Sequence, residues 1–309
     1  MKNVLIVGSI GLDNLKTPYG ERENILGGSI SFASIAARIF SPASIIGVVG
    51  EDFPQHYIDL FEEKGIDLSG LETRQGGTFR WCGEYCGDMN EAITLDTQLN
   101  SFANFDPVLS QKHRDTDFLF LGNIHPDLQL KVLEQMNSPR FVMCDTMNLW
   151  INTTSEQLKE VISNVNLFLV NDKEAKMLSG EENLILAARK ILELGPEYLI
   201  IKKGEHGSML FSKDGEMFIL PAFPLCDVVD PTGAGDSFAG GLIGFLAQES
   251  KIDFEAIKRA MLSGTIVASF TTQGFGNDVL KNLNREIFAR RCDEFCSFLA
   301  APSLDTVLA

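Results

Sequence analysis

Residues 230–241 read Asp-Pro-Thr-Gly-Ala-Gly-Asp-Ser-Phe-Ala-Gly-Gly, and residues 242–247 continue this stretch as a helix. The small residues Gly233, Ala234 and Gly235 leave the first amide groups of that helix uncovered. Uncovered N–H groups and the positive end of the helix dipole together form an anion site. The stretch therefore predicts a turn of backbone that binds a phosphate group.

Asp236 lies beside this predicted anion site. A carboxylate there would repel an anionic ligand, so its presence suggests that it has a chemical task. Accepting a proton from an attacking hydroxyl group is such a task, and an Asp performs it in other phosphoryl-transfer enzymes. The alternative is that Asp236 only stabilises the first turn of the helix through the helix dipole. The flanking glycines favour the first interpretation, with Asp236 as the catalytic base.

Three more glycines, Gly240, Gly241 and Gly244, lie inside the predicted helix. A glycine in a helix interior costs about 1 kcal/mol relative to Ala. Their presence predicts that another part of the chain packs closely against this backbone.

Outside this stretch, strand-like and helix-like apolar segments alternate along the chain, which predicts an α/β fold. The strand-like segments are apolar on both faces, as in a parallel sheet covered by helices on each side. They comprise residues 4–8, 44–49, 118–122, 141–145, 167–170 and 198–202. The helix-like segments between them comprise residues 29–40, 54–64, 128–136, 155–163, 172–178 and 184–194.

Polar residues or a glycine follow or end five of these strands: Asp13, Asn123, Asp145, Asn171 and Gly204. The carboxyl ends of parallel strands lie at one edge of a sheet, where open α/β folds bind their ligands. We therefore expect a ligand site at this edge.

Residues 76–100 depart from the alternation of strands and helices and read as a β-hairpin. Period-two spacing places Phe79, Trp81 and Tyr85 on one face of its first strand, and a turn around residues 87–90 leads to the second strand. We expect this hairpin to be a lid over a substrate cleft. The alternative is a plain hairpin at the edge of the sheet.

The 309 residues carry a formal net charge of −16. A surface for nucleic acid or an anionic membrane needs clustered Lys and Arg, so neither partner is expected. No stretch is long and apolar enough to span a bilayer. Residues 1–8 hold too short an apolar run for a signal peptide, so a cytoplasmic location is expected.

Residues 230–236 resemble the signature of the ribokinase-like, or PfkB, carbohydrate kinases, usually D-T-x-G-A-G-D, with Pro231 in place of the Thr. In that family the Gly-Ala-Gly backbone is the anion hole and the last Asp is the base. The resemblance implies a three-layer parallel-sheet domain with a small β lid, here one kinase domain over residues 1–309 with its lid at about 76–100.

Further matches to the family concern the substrate. Asp13, after the first strand, resembles the family's acceptor of substrate hydroxyl groups. Gly27 and Gly28, which open a helix, resemble the glycine pair that approaches the substrate. With Asn123 at a neighbouring strand end, these residues are the predicted substrate site.

The resemblance also implies ATP as the phosphoryl donor together with Mg²⁺. The sequence from Asn171 to Glu174 matches the N-x-x-E motif, which predicts that Glu174 holds Mg²⁺ through water. The predicted nucleotide-binding residues are Asn171, Lys202, Gly204, Gly207, Thr232 and Gly276. Asp230 is the predicted ligand of a monovalent cation, K⁺.

One position departs from the family pattern. Many sugar-kinase relatives have an Asn four residues after the second Gly of the pair, where it contacts a sugar hydroxyl, and this chain has Phe32. Together with Phe79 and Trp81, Phe32 would give a less polar pocket that suits a nucleoside base. The alternative is that Phe32 packs in the core.

The predicted function is ATP-dependent phosphorylation of an alcohol group of a sugar or sugar derivative, with a nucleoside kinase of the same family as the alternative. A second class, a catalytically silent ligand-binding protein on this fold, is disfavoured because Asp236, Glu174 and the glycine pair are all present. A dehydrogenase is disfavoured because no G-x-G-x-x-G sequence opens a helix after a strand. We also expect a homodimer through the lid, since Phe79, Trp81 and Tyr85 would otherwise expose an apolar strip.

Overall fold

The strands of the chain form two separate sheets in the computed structural model, which describes residues 2–87 and 89–299. In chain order they are β1 (Val4–Val7), β2 (Gly11–Thr17), β3 (Gly20–Gly27), β4 (Ala43–Gly50), β5 (Ile66–Arg74), β6 (Phe79–Tyr85), β7 (Ala92–Gln98), β8 (Phe118–Leu121), β9 (Phe141–Asp145), β10 (Leu167–Asn171), β11 (Tyr198–Lys202), β12 (Ser208–Ser212) and β13 (Met217–Leu220).

The helices in chain order are α1 (Ser29–Ala37), α2 (Gln55–Glu63), α3 (Gln111–Arg114), α4 (Pro126–Gln135), α5 (Asn148–Thr153), α6 (Ser155–Ser163), α7 (Asp172–Ser179), α8 (Leu184–Leu192), α9 (Ala234–Leu246), α10 (Phe254–Thr271) and α11 (Arg285–Phe298). Seven of the eleven helices in the described residues correspond to predicted segments, and α3, α5, α10 and α11 were not predicted. The predicted bounds of α6 are identical to the observed ones, and those of the other predicted helices differ by up to three residues. In the described part of the chain, no helix is long and apolar enough to cross a membrane.

The large sheet has the strand order β13-β12-β11-β10-β9-β8-β1-β4-β5. The seven strands from β11 to β5 are parallel, and β12 and β13 are antiparallel at one edge. Side chains alternate between its two faces, so Val4 and Ile6 pack with α1, α9 and α10, whereas Leu5 and Val7 pack with α4, α6 and α8. The predicted three-layer α/β fold is confirmed.

The small sheet has the order β3-β2-β6-β7. Strands β6 and β7 are the predicted hairpin, and Asp88 in its turn lies outside the described residues. The hairpin accounts for only half of this sheet, because β6 pairs in parallel with β2, which pairs with β3. Asp13 therefore lies within a strand of the small sheet, and the expectation that it lies in a loop after β1 is wrong.

The parallel arrangement brings the carboxyl ends of β8, β9, β10 and β11 to one edge of the large sheet. Asn123, Asp145, Asn171 and Gly204 lie at these ends, as predicted. Helix α9 begins near the same edge, because a Cβ atom on Gly235 would lie 3.2 Å from Nζ of Lys202 at the end of β11.

Candidate active site

The first turn of α9 is built on Gly233. This residue is the N-cap and has a φ angle of 74°, a left-handed conformation that favours glycine. No side chain caps the helix, so the chain itself does not cover the amide groups with a hydroxyl or carboxylate. The Gly233 and Gly235 amides have no hydrogen-bond acceptor in the described part of the chain.

The amide of Ala234 differs from its neighbours. It donates a hydrogen bond to the carbonyl oxygen of Pro231 at 3.1 Å, which closes the turn before the helix. Of the three predicted anion-hole residues, Gly233 and Gly235 therefore have amides that are available to a ligand, while the Ala234 amide maintains the turn.

Phe32 lies directly beneath this turn. Its side chain is 1% exposed, and a Cβ atom on Gly233 would overlap its ring. Of the two interpretations left open by the sequence, packing in the core is the observed one. The ring supports the Gly233 backbone from below and does not line a pocket.

Close packing of α9 against α1 explains the helical glycines. A Cβ atom on Gly240 would overlap the carbonyl oxygen of Ala33, and one on Gly244 would lie 2.7 Å from that of Ala37. Gly241 faces the opposite direction, toward α10. The predicted close partner is confirmed, and it is the backbone of the helix that also carries Phe32.

Asp236, in the first turn of α9, is held in a cluster of charged side chains. Burial raises the pKa of its carboxyl group to about 7; the negative charge of Asp145 raises the pKa as well, and the ammonium of Lys202 lowers it. Lys202 Nζ lies 2.6 Å from Oδ2 of Asp145. A carboxyl group with a pKa near neutrality can both accept and release a proton at physiological pH.

Lys202 remains positively charged in this cluster. Burial alone would lower its pKa, but Asp145, Glu174 and Asp236 outweigh burial and raise it. The side chain of Lys202 is 19% exposed, and its ammonium group lies close to the backbone of Gly235. A positive charge is therefore present beside the first turn of α9.

Asn171 and Glu174 form a capping box at the start of α7. The side chain of Asn171 accepts from the Glu174 amide at 2.8 Å, and Oε2 of Glu174 accepts from the Asn171 amide at 2.8 Å. Burial raises the pKa of Glu174 to about 7, an effect that Lys202 partly offsets. The cap uses one carboxylate oxygen and leaves Oε1 for a further contact.

Asp13 is 4% exposed and faces the same region from the small sheet. Burial raises the pKa of its carboxyl group to about 8, and the charges of Asp230 and Asp236 add to this effect. Its Oδ1 atom has no hydrogen-bond partner within the described residues. A Cβ atom on Gly27 would overlap the carboxyl group, so the first glycine of the predicted pair provides the space that Asp13 occupies.

Asp230 connects two loops beside the site. Its Oδ1 accepts from the Thr232 amide and its Oδ2 from the Gly276 amide, both at 2.9 Å. The residue is fully buried, and burial raises its pKa while the two amides lower it. Asp230, Thr232 and Gly276, three of the predicted site residues, therefore lie together and contact one another.

Tyr85 was not among the predicted site residues, although it is the last residue of β6. The Thr232 hydroxyl donates to its phenol oxygen at 3.3 Å. Burial raises the pKa of Tyr85 to about 12, and the charges of Asp230, Asp13 and Asp236 contribute to the rise. The small sheet thus contacts the turn before α9. The alternation in β6 provided the signal, but the sequence did not indicate which loop the ring would reach.

The other predicted residues have contacts of their own. Gly28 has a φ angle of 86° and approaches the backbone of Ser9 too closely for a side chain. Asn123 Oδ1 accepts from Nε1 of Trp150 at 2.8 Å. A Cβ on Gly204 would lie 2.7 Å from Oδ1 of Asn90, and a Cβ on Gly207 would overlap the carbonyl oxygen of Leu220.

The arrangement combines three chemical features around the first turn of α9. It contains two uncovered amides beside an ammonium group, a carboxyl group with a pKa near neutrality, and a second buried carboxyl group with an unpartnered oxygen. Such a set can bind an anionic group, accept a proton next to it and hold a hydroxyl-bearing ligand, as in enzymes that transfer a phosphoryl group to an alcohol.

The family model described as "pfkB family carbohydrate kinase" matches residues 9–279. This match covers well over half of the chain, and the chain therefore belongs to the pfkB family. Among curated proteins, the cytidine kinase of Thermococcus kodakarensis is 27% identical over 79% of this chain and 88% of its own length.

Solved structures show the same fold. The nucleoside kinase of Methanocaldococcus jannaschii has a TM-score of 0.74 at 20% identity, covering 95% of this chain and 99% of that one. Aminoimidazole riboside kinase from Salmonella enterica, complexed with aminoimidazole riboside and an ATP analog, has a TM-score of 0.73 at 20% identity, covering 94% and 100%. At these identities the likeness concerns the fold, a ribokinase-type α/β domain with a small second sheet.

Proposed function

We propose that this chain transfers the γ-phosphoryl group of ATP to a hydroxyl group of a sugar or of a nucleoside. The observation that carries the proposal is the position of Asp236, a carboxyl group with a pKa of about 7 in the first turn of an uncapped helix. Family membership supports the same reaction class. We further propose that the chain is one kinase domain, with the four-stranded small sheet as its lid.

In the proposed mechanism Asp13 holds the acceptor. Its unpartnered Oδ1 accepts a hydrogen bond from an acceptor hydroxyl. Gly27 and Gly28 contribute to the acceptor site indirectly, because Gly27 leaves the space that the Asp13 carboxyl group occupies and Gly28 lets the turn before α1 pack against Ser9. Asp236 accepts the proton of the attacking hydroxyl as its oxygen bonds to the γ-phosphorus, and ADP leaves with the electron pair of the broken P–O bond.

The γ-phosphate binds at the first turn of α9. The Gly233 and Gly235 amides and the Lys202 ammonium surround the position where negative charge develops, and Asp145 keeps Lys202 in place. Fixed donors of this kind stabilise the transition state without reorganising. The nucleotide lies along the loops that carry Asn171, Gly204 and Gly276, with Thr232 beside the transferred group.

The residues present are compatible with Mg²⁺. Glu174 has a free carboxylate oxygen at this edge, and its raised pKa reports a buried charge that a cation would stabilise. Within residues 2–87 and 89–299 no group of three or more acidic, His or Cys side chains is placed so that it could hold a metal ion by itself, so a bound Mg²⁺ would keep most of its water ligands. Bound Mg²⁺ would neutralise the phosphate oxygens of ATP.

For K⁺ the proposal rests on Asp230. This carboxylate is fully buried and held by two amides, so the loops of residues 230–233 and 272–277 surround a negative charge. A monovalent cation held by Asp230 and nearby carbonyl oxygens would offset that charge. Its role would be to fix the turn before α9.

We also propose that the chain forms a homodimer through the small sheet, by a different surface from the expected one. Tyr85 is 9% exposed and faces the site, so the strip of Phe79, Trp81 and Tyr85 is not an outer surface. Strand β7 instead lies at an edge of the sheet and exposes Ile93 and Leu95, each 56% exposed. An edge strand with apolar side chains pairs readily with a second copy.

The proposal is tested by incubating the purified chain with ATP and Mg²⁺ and a panel of sugars and nucleosides. We expect ADP release that requires an acceptor and yields a phosphorylated product. ATP hydrolysis that is independent of every acceptor, or no turnover with any of them, would contradict the proposed function.

A further inference from the structure

One face of β6, which includes Tyr85, is directed toward the candidate active site. Strand β6 pairs with β2 in unbroken register, so Trp81 lies beside Asp13 on the same face of the sheet. Phe79, Trp81, Gly83 and Tyr85 alternate along that face. This face reaches the site at two places. Tyr85 contacts Thr232, and the charge of Asp236 raises the pKa of the Asp13 carboxyl group.

The indole of Trp81 lies flat along its own strand. A Cβ atom on Gly83 would overlap the six-membered ring of the indole, so the absence of a side chain at Gly83 allows the ring to lie down on the sheet. Trp81 Nε1 donates to the hydroxyl of Thr94 on β7 at 3.2 Å, which satisfies the one polar atom of the ring. The result is a fixed, partly exposed apolar surface beside Asp13.

Few polar side chains accompany this surface. Phe32, four residues after Gly28, has no polar atom in its side chain and is buried beneath Gly233. Asn123 has its oxygen occupied by Trp150. A free sugar presents a hydroxyl on nearly every carbon, and each one requires a partner when water is excluded. Asp13 offers one unpartnered oxygen for such hydroxyls.

On the basis of the proposed function, we propose that the acceptor is a nucleoside whose base stacks on the indole of Trp81 while its ribose hydroxyls bind Asp13. A ribose with a planar heteroaromatic substituent has few hydroxyls and one large flat face. That combination matches one unpartnered carboxylate oxygen next to one immobilised ring. Tyr85, which accepts a hydrogen bond from Thr232, lies beyond Gly83 and would form the end of the base pocket.

The test compares acceptors in the wild-type chain and in Trp81→Ala. We expect kcat/KM to be higher for at least one nucleoside than for free ribose and hexoses in the wild type. Trp81→Ala should lower kcat/KM for that nucleoside by about 5- to 150-fold, the range for loss of one base–aromatic stack. The value for free ribose should change by less than about twofold, because ribose does not reach the ring.

Two further variants separate stacking from damage to the lid. Trp81→Phe retains an aromatic face and should recover most of the nucleoside activity. Cys82→Ala alters the opposite face of the same strand and should leave the preference for nucleosides unchanged. Thermal melting of each variant shows whether the lid remains folded.

Indole fluorescence provides a readout that does not depend on turnover. Trp81 and Trp150 are the two tryptophans of the chain, so Trp150→Phe leaves Trp81 as the only indole. Stacking of a base should quench its emission in a saturable manner, and ribose should not.

The outcomes are distinct. If the wild type phosphorylates sugars but no nucleoside, or if Trp81→Ala lowers the two activities equally, the inference is wrong and the proposed function stands. If no acceptor is phosphorylated, the proposed function fails and the inference fails with it. Nucleoside-selective loss in Trp81→Ala, with recovery in Trp81→Phe, supports both.

Discussion

Lys202, at the end of β11, interacts with three carboxyl groups: those of Asp145 at the end of β9, Glu174 in α7 and Asp236 in α9. Burial raises the pKa of Asp236 to about 7, Asp145 raises it and Lys202 lowers it. Asp13 and Asp230 are the other buried carboxylates of this region. The base is therefore part protonated at neutral pH, and its ionisation should control turnover.

We predict that kcat/KM, which reports the ionisation of the free enzyme, rises with pH through a midpoint near 7, because only the deprotonated carboxylate accepts the hydroxyl proton. Asp145→Asn removes a negative charge and should move the midpoint to lower pH. Lys202→Met removes a positive charge and should move it to higher pH. Each shift should be about one pH unit.

The measurement is the pH dependence of kcat/KM, and Asp106→Asn, which changes an exposed side chain on another surface, is the control. Shifts of the two midpoints in the same direction, or no shift, would show that a different group limits the reaction.

At this scale the sequence predicted the residues of local motifs and left out pairs that are distant in the chain. Gly233, Gly235 and Asp236 lie in one turn, so their spacing alone indicated an anion site. The ion pair of Asp145 and Lys202 joins two neighbouring strands, and the contact of Tyr85 with Thr232 joins the two sheets. Such pairs depend on the order and register of the strands, and neither can be read from a single sequence.

At the scale of elements, the contact between α1 and α9 fixes the position of the anion site. Helix α1 carries Phe32, whose ring supports Gly233, and the same helix packs its backbone against Gly240 and Gly244. Because these contacts lie along one helix, a displacement of α9 from α1 should also displace its first turn.

Gly240→Ala should therefore be harmful even though Ala favours helix formation. The added methyl group would overlap the Ala33 carbonyl oxygen, and we expect a loss of about 1–3 kcal/mol in the free energy of unfolding, with reduced kcat. Gly241→Ala is the matched control, since its methyl group meets mainly the Val267 side chain, at 3.0 Å. Denaturant unfolding and steady-state kinetics of both variants provide the test, and equal stability of the two would contradict the packing argument.

The hairpin of β6 and β7 was predicted because its first strand alternates clearly, whereas β2 and β3 were not. The middle of β3 is a run of exposed charged and polar residues, Glu21 to Asn24, so it lacks the apolar alternation of a half-buried strand. The lid was consequently expected to be half its observed width. Asp13 was singled out by resemblance, but its location in β2 followed only from the structure.

At the scale of the whole molecule, the small sheet has one face toward the site and an edge, β7, open to a partner. If two copies pair along β7, each lid is held against a partner. Ile93→Lys combined with Leu95→Lys should then convert a dimer into a monomer. Ile219→Lys is the matched control, because Ile219 is 53% exposed on β13, an edge strand of the large sheet.

Light scattering after size-exclusion chromatography measures this directly. We expect the wild type and Ile219→Lys to be dimers. A wild type that is monomeric at every concentration, or a double variant that remains dimeric, would rule out association through β7.

The central claim is that Asp236 deprotonates the acceptor beside an anion site formed by the Gly233 and Gly235 amides. Asp236→Asn keeps the shape of the side chain and removes its basicity. The most direct measurement is the rate of phosphoryl transfer from ATP by this variant, alongside its equilibrium affinity for ATP. We expect the rate to fall by about 10²- to 10⁴-fold or more while ATP binds as tightly as before, and retained turnover would contradict the account.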